Sequence, residues 1–162
     1  MRPIGLLHTS FVRQEGTPIQ GRFAPEVEGT VEVFPEFSAG LADVDGFSHL
    51  ILLYAFDRVK QAALRVRPYL DTEERGVFAT RSPARPNGIG MTVVQLLGIE
   101  GRELKVAGVD MLDGTPLLDL KPYLPDFDSQ PVARTGWFEQ RRGADGALPP
   151  TVADARFEPD RT

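Results

Sequence analysis

The sequence predicts a mainly β domain, a barrel or a sandwich of short strands, on three observations. Gly29 to Phe34 alternates, Val31 and Val33 pointing one way and Thr30 and Glu32 the other, the period of a half-buried strand. Gly46 to Phe56, GFSHLILLYAF, is a continuous apolar run too short for a typical core helix; it reads as a central strand buried on both faces. Met91 to Ile99 and Glu103 to Met111 flank Glu100-Gly101-Arg102, a glycine-containing hairpin connection.

The remaining segments fit around these. Pro3 to Thr9 suits a first strand. Ser10 to Glu28 carries Gly16, Pro18, Gly21 and Pro25 at intervals that no helix or strand tolerates, so it is a long loop, and long loops in compact domains are often functional. Pro35 to Val44 allows one or two helical turns, and Asp57 to Leu64 a helical turn or a loop. Val66 to Arg75, with Pro68 and a charged cluster, reads as irregular. Gly76 to Thr80 reads as a short strand, as does Pro116 to Leu120. From Pro125 the chain turns polar and proline-rich, an extended or frayed tail for which Trp137 and Phe138, whose rings gain by burial, are the candidate anchors.

The chain's 162 residues fit one domain. With no cysteine, disulfides and thiolate metal sites are excluded, and His8 and His49, far apart in sequence, argue against a metal site. The N-terminus lacks the pattern of a signal peptide, and the longest apolar run is too short to span a bilayer, so the expected location is the cytoplasm. A net charge of −5 announces no polyanionic partner; one would need a local basic patch.

Two polar stretches lie on either side of the hairpin, which brings them to one end of the sheet. Phe78 to Gly90, FATRSPARPNGIG, is cationic and stiffened by Pro83 and Pro86; Asp110 to Pro125, DMLDGTPLLDLKPYLP, is acidic and closes on Lys121 and Tyr123. Together they read as a binding site. Gly88-Ile89-Gly90 follows a proline-rich loop and precedes a strand, so it lacks the strand-to-helix context of a Rossmann fingerprint.

These two stretches, with the opening IGLLHTSF, the loop GTPIQGRFAPEVEGTVEV and the strand GFSHLILLYAF, resemble in order the TsaA/YaeB-like (TrmO) family over about Ile4 to Pro125. Its members are S-adenosylmethionine-dependent methyltransferases of threonylcarbamoyl-adenosine beside the tRNA anticodon. The resemblance implies a small antiparallel β-barrel over residues 1–125, non-Rossmann and with short helical segments. It also implies a tail over 126–162, extended or packed on the barrel, and a homodimer acting on tRNA with S-adenosyl-L-methionine as cofactor. Cofactor contacts carry over onto Pro18, Ile19 and Gln20, onto Asp57 and Arg58, and onto Arg81 and Met91. They end with Leu112, Asp113, Gly114 and Thr115. The family often has Arg, His and Pro where this chain has Ile19, Asp57 and Gly88.

The side-chain chemistry is compatible with that set. The planar fork of Arg81 suits a carboxylate or a phosphate, and Arg85 has the same two readings, ligand or structural. Arg85, Asn87, Lys121 and Tyr123 are candidate substrate contacts, Lys121 meeting a phosphate and Tyr123 stacking on a base. Asp113 in the LDGT turn caps a backbone amide and can also accept from the cofactor. Asp110 and Asp119 read as structural or electrostatic supports, and His49 as a hydrogen-bonded core histidine. A general base is not assigned; Asp113, Asp57 or a water could serve. Two alternatives stand beside tRNA methylation: the same fold methylating a small-molecule acceptor, and a non-catalytic regulatory module that binds the cofactor.

Overall fold

In the computed structural model, which describes residues 1–141 and 152–157, the strands are β1 (Gly5–His8), β2 (Glu28–Val33), β3 (His49–Ala55), β4 (Arg65–Val66), β5 (Arg75–Gly76), β6 (Ile89–Glu100), β7 (Glu103–Ala107) and β8 (Thr115–Pro122). Six of them close an antiparallel barrel in which neighbours run β1, β2, β7, β6, β3, β8 and back to β1. β4 and β5 form a separate two-stranded ribbon. Of the barrel and the sandwich, the barrel is what forms, and closure removes the exposed edges that a sandwich would leave.

Alternation decides which side chains fill the interior. Leu7, Val31, Val33, Leu50, Leu52, Val94, Leu104, Val106 and Leu117 are all essentially inaccessible and form one cluster. Each such aliphatic side chain contributes about 1.5–3 kcal/mol by leaving water. β3 corrects one expectation. Only Leu50, Leu52 and Tyr54 are buried, while Ile51, Leu53 and Ala55 are partly covered on the outer face. The GFSHLILLYAF run is therefore continuous because its outer face is apolar as well, not because both faces lie in a core. His49 is exposed at the start of β3, its Nδ1 2.9 Å from Ser48 Oγ, so it is not a core histidine.

The β6–β7 connection is tighter than the sequence indicates. Glu100 pairs with Glu103, leaving Gly101 and Arg102 as a two-residue turn. Gly101 has φ +60°, which suits the first central position of a hairpin turn of the primed kind. Gly76 to Thr80 forms no strand beyond its first residue. Arg75–Gly76 pairs with Arg65–Val66, and a 3-10 turn follows at Val77–Ala79. The apolar side chains of that region gather instead in a satellite cluster of Val66, Val77 and Ala84, against which Phe157 packs.

Among the described residues of the C-terminal segment, several contacts reach back to the barrel and its loops. Trp137 donates its indole N–H to the Ala79 carbonyl at 2.8 Å, and the Arg75 guanidinium lies 5.7 Å from the Trp137 ring centroid. Arg75 and Arg141 both reach the buried carboxylate of Asp71. Burial works against that carboxylate, but the Glu73 amide and the two guanidiniums outweigh it and hold its pKa below the ordinary value. Further on, Ala153 exchanges backbone bonds with the long N-terminal loop: Gly16 N–H donates to Ala153 O at 2.9 Å, and Ala153 N–H to Thr17 O at 2.8 Å. Arg156 donates to the Arg67 and Pro68 carbonyls. No helix among the described residues is long and apolar enough to cross a membrane.

Candidate functional site

A cleft of about 910 Å³ opens at the end of the barrel where β3 runs out and β6 begins. Its walls come from the long N-terminal loop, the Ala55–Val59 exit of β3, the Ala79–Pro83 loop, the Asp110–Leu112 segment and the tail. The cationic and acidic stretches on either side of the hairpin thus share one cavity. Its size suits a nucleotide-sized ligand.

At its floor lies the carboxylate of Asp110. Oδ2 accepts from Gly21 N–H at 2.8 Å and from Thr92 Oγ1 at 3.1 Å, and Oδ1 accepts from the Tyr54 hydroxyl at 3.3 Å. Two glycines make this possible. A Cβ at Gly21 would sit 1.8 Å from the Gly108 carbonyl oxygen, so only glycine brings that amide close enough. A Cβ at Gly90 would fall 2.2 Å from the Tyr54 ring, which occupies the space opposite its register partner. Burial pushes the Asp110 pKa up to about 6, against the opposing pull of the three hydrogen bonds and of nearby Arg81. The Tyr54 hydroxyl is raised as well, by burial first and then by Asp110, so it remains a donor.

Around the floor, Pro18, Ile19, Gln20, Asp57, Arg58, Arg81, Leu112 and Thr115 all line the cleft. Arg81 is exposed and donates to Gln20 Oε1; Gln20 in turn donates to the Ile19 carbonyl at 2.8 Å. Arg58 donates to the Asp113 carbonyl across the cleft edge. The Asp113 carboxylate faces away, accepting from Thr9 N–H at 3.2 Å and lying 3.5 Å from His8 Nδ1, and Gly114, at φ +74°, completes the turn. Met91 sits on the outer barrel face, its neighbour in the strand pairing being Leu53.

The substrate candidates are not brought together. Arg85 folds back on its own loop, donating to the Thr80 carbonyl at 2.8 Å and more weakly to Val77 and Ser82. Asn87 is exposed beyond it. Lys121 pairs with Asp119 at 2.7 Å, and Tyr123 meets the His49 ring edge-on at 6.4 Å. His49 and Ala55 are the two ends of β3, so this pair lies roughly 20 Å from the cleft.

Sequence reasoning missed the part played by Tyr54, Phe78 and Trp137 in the cleft, and read Asp110 as a support. Phe78 lines the cleft while remaining 76% exposed, and Trp137 closes its tail side. Asp110 stands three residues past β7 and enters the cavity beside Met111. A carboxylate following an inward-facing apolar strand was the available signal; Tyr54 gave none without its register opposite Gly90.

A closed barrel whose rim carries an apolar cleft with a guanidinium, an amide and carboxylates converging on it defines a ligand-binding enzyme scaffold outside the Rossmann class. The family profile described as the tRNA-methyltransferase O N-terminal domain matches residues 6–129, and the chain belongs to that family. It is 55% identical to a probable S-adenosyl-L-methionine-binding protein of Pyrococcus abyssi, over 86% of this chain and 76% of that one. It is 39% identical to the mouse tRNA (adenine(37)-N6)-methyltransferase over 78% of this chain but 31% of that enzyme. The crystal structure of TrmO from Pseudomonas aeruginosa superposes with a TM-score of 0.70 at 39% identity, covering 83% of this chain and 60% of that one. The chain thus spans less than two-thirds of each of the last two proteins.

The raised pKa of Asp110 makes a stability prediction. Its carboxyl titrates near 3.8 when unfolded and near 6 when folded, so folding takes up a proton between those values. The favourable state is the protonated one, fully present below the unfolded pKa and lost as pH rises through about 6. Asp110→Asn removes the charge, and thermal unfolding should show it stabilised at pH 8, by up to about 3 kcal/mol, with no gain at pH 4. Equal stabilisation at both pH values would contradict the assignment of the strain to the buried charge.

Proposed function

We propose that this protein is an S-adenosylmethionine-dependent methyltransferase that modifies N6 of threonylcarbamoyl-adenosine next to the tRNA anticodon. The observation that carries the reading is the donor set of the cleft. Arg81 offers a planar pair of donors to the amino-acid carboxylate of the cofactor, and Gln20 offers an amide to the adenine edge. Asp57 provides an exposed acceptor for ribose hydroxyls, while Ile19, Phe56 and Leu112 give the apolar wall. When bound, the cofactor supplies a methyl group on an activated sulfonium, so the protein's task is to orient the acceptor and to exclude water.

The nucleic-acid part of the reading rests on the cleft mouth. Arg13, Arg58 and Arg81 all border it, although the whole chain is acidic. Phe78 presents an exposed ring beside them, a platform on which an unstacked base can lie. A local basic patch beside an aromatic is what a nucleic-acid partner requires of a chain whose net charge is −5.

The working unit in this reading is a homodimer in the cytoplasm. Ile89, Met91, Val93 and Leu97 form an exposed apolar stripe on the outside of β6, flanked by the half-covered Ile51 and Leu53 of β3. A second copy seated on this stripe would bury it and would also bring Met91 toward a cofactor held by the partner, since its side chain cannot reach the cleft of its own chain. Arg85, Asn87, Lys121 and Tyr123 retain their proposed part in holding the substrate; the distance of Lys121 and Tyr123 from the cleft requires that they act along an extended RNA or from the partner subunit.

Two measurements test these readings. Methyl transfer from labelled cofactor is expected with tRNA that carries threonylcarbamoyl-adenosine and not with the same tRNA lacking that group; equal labelling of both, or of a small-molecule acceptor alone, would remove the proposed substrate. Sedimentation should give a dimer for the wild type and a monomer for Val93→Asp, whereas a wild-type monomer at micromolar concentration would overturn the assembly.

A further inference from the structure

Methylating an N6 that carries a carbamoyl group requires its proton to leave, because the nitrogen lone pair is delocalised into both the purine and the carbonyl. The protein group that receives it must be an acceptor within reach of the cleft, held in one orientation and ionised at the working pH. Among the described residues lining the cleft, the carboxylates are Asp57 and Asp110. Asp57 is exposed at the rim. The Asp113 carboxylate is turned toward Thr9 and His8, and Asp119, opposite Leu53 in the barrel wall and not among the cleft-lining residues, is paired with Lys121.

Asp110 differs from all of these. Gly21, Thr92 and Tyr54 donate to it from three separate segments, so its plane is fixed. Two of these donors share Oδ2, while among the described residues Oδ1 receives the Tyr54 hydroxyl alone, at 3.3 Å. A carboxylate oxygen has two lone-pair sites, which leaves Oδ1 one for a proton arriving from the cleft. Among the described residues, the charged and titratable groups facing it are Tyr54 and Arg81. A group titrating near 6 is ionised at neutral pH yet basic enough to take a proton, which suits this task.

We propose that Asp110 Oδ1 is the proton acceptor for methyl transfer, with Tyr54 and Thr92 as the residues that position its carboxylate. The inference rests on the methyltransferase reading above. In the step, the acceptor N–H bond breaks and its proton goes to Asp110 Oδ1. The electron pair left on nitrogen forms the new N–C bond, as the pair of the old S–C bond stays on sulfur. Asp110 then returns the proton to solvent. Tyr54 and Thr92 stabilise the ionised carboxylate, so they keep the acceptor charged at lower pH than burial alone would allow.

The test joins kinetics, cofactor binding and a direct titration. The wild-type rate on threonylcarbamoylated tRNA should rise about tenfold per pH unit up to about 6 and then level off. Asp110→Asn should lower the plateau rate by about 100-fold or more while calorimetry gives a cofactor affinity within about threefold of wild type. Tyr54→Phe removes a bond that favours the ionised form, so its kinetic inflection should move to higher pH. The Asp110 carboxyl resonance, followed by carbon-13 NMR without cofactor, should show the same upward shift in its midpoint.

An Asp110→Asn enzyme with an undiminished plateau overturns the proposal. So does one whose rate and cofactor affinity fall together, which would make Asp110 a binding residue. A Tyr54→Phe resonance that shifts while the kinetic inflection stays put shows that the rate follows another group, and overturns it too. If the wild type binds cofactor but transfers no methyl group to the tRNA, the substrate reading fails, and this role of Asp110 fails with it. Loss of rate in Asp110→Asn alone leaves that reading intact.

Discussion

Four stretches of chain distant in sequence meet at one carboxylate. Asp110 lies just past β7; its partners come from the long N-terminal loop, from the end of β3 and from β6. A buried carboxylate costs several kcal/mol unless donors surround it, so these partners are not optional decoration of the cleft. Each contact also fixes something else. The Gly21 amide pins the loop that carries Pro18, Ile19 and Gln20, and the Tyr54 hydroxyl pins the strand whose exit carries Asp57 and Arg58. The barrel thereby sets the cleft's floor, and the loops are hung from it.

The same constraint explains two glycines, one in the long N-terminal loop and one at the start of β6. Gly21 and Gly90 are placed by close approach, one to the Gly108 carbonyl and one to the Tyr54 ring. Neither has the positive φ that would mark it as a turn glycine. Both allow a partner of Asp110 to reach it. The tail adds a second tier, since Trp137 and the Ala153 strap tie the Ala79 and Thr17 segments of the wall to each other's surroundings.

The alternation of Val31 and Val33, the GFSHLILLYAF run and the hairpin around Gly101 were enough to give the strands, because period and turn chemistry are local. Closure into a barrel rather than a sandwich was not local: it depends on β8 pairing with both β1 and β3. The cleft was legible as two stretches of opposite charge, and eight residues carried over by resemblance line it. What was illegible depended on register and side-chain direction. Asp113 and Asp110 stand three apart in one acidic stretch, yet one carboxylate turns to Thr9 and His8 and the other into the cavity. Similarly, Lys121 and Tyr123 follow the same stretch in sequence, but β8 carries them along β3 to its opposite end. Ile19 and Asp57, one apolar and one acidic, both line the cleft.

The central claim is that this cleft, under Arg81, holds S-adenosylmethionine. Calorimetric titration of the purified protein with the cofactor, beside Arg81→Ala, addresses it most directly. The account predicts saturable binding of one cofactor per chain and a loss of about 10- to 100-fold in affinity in the variant, the size of a charge-assisted hydrogen-bond pair. Binding of wild-type strength in Arg81→Ala, or no binding by the wild type even with tRNA present, would contradict it.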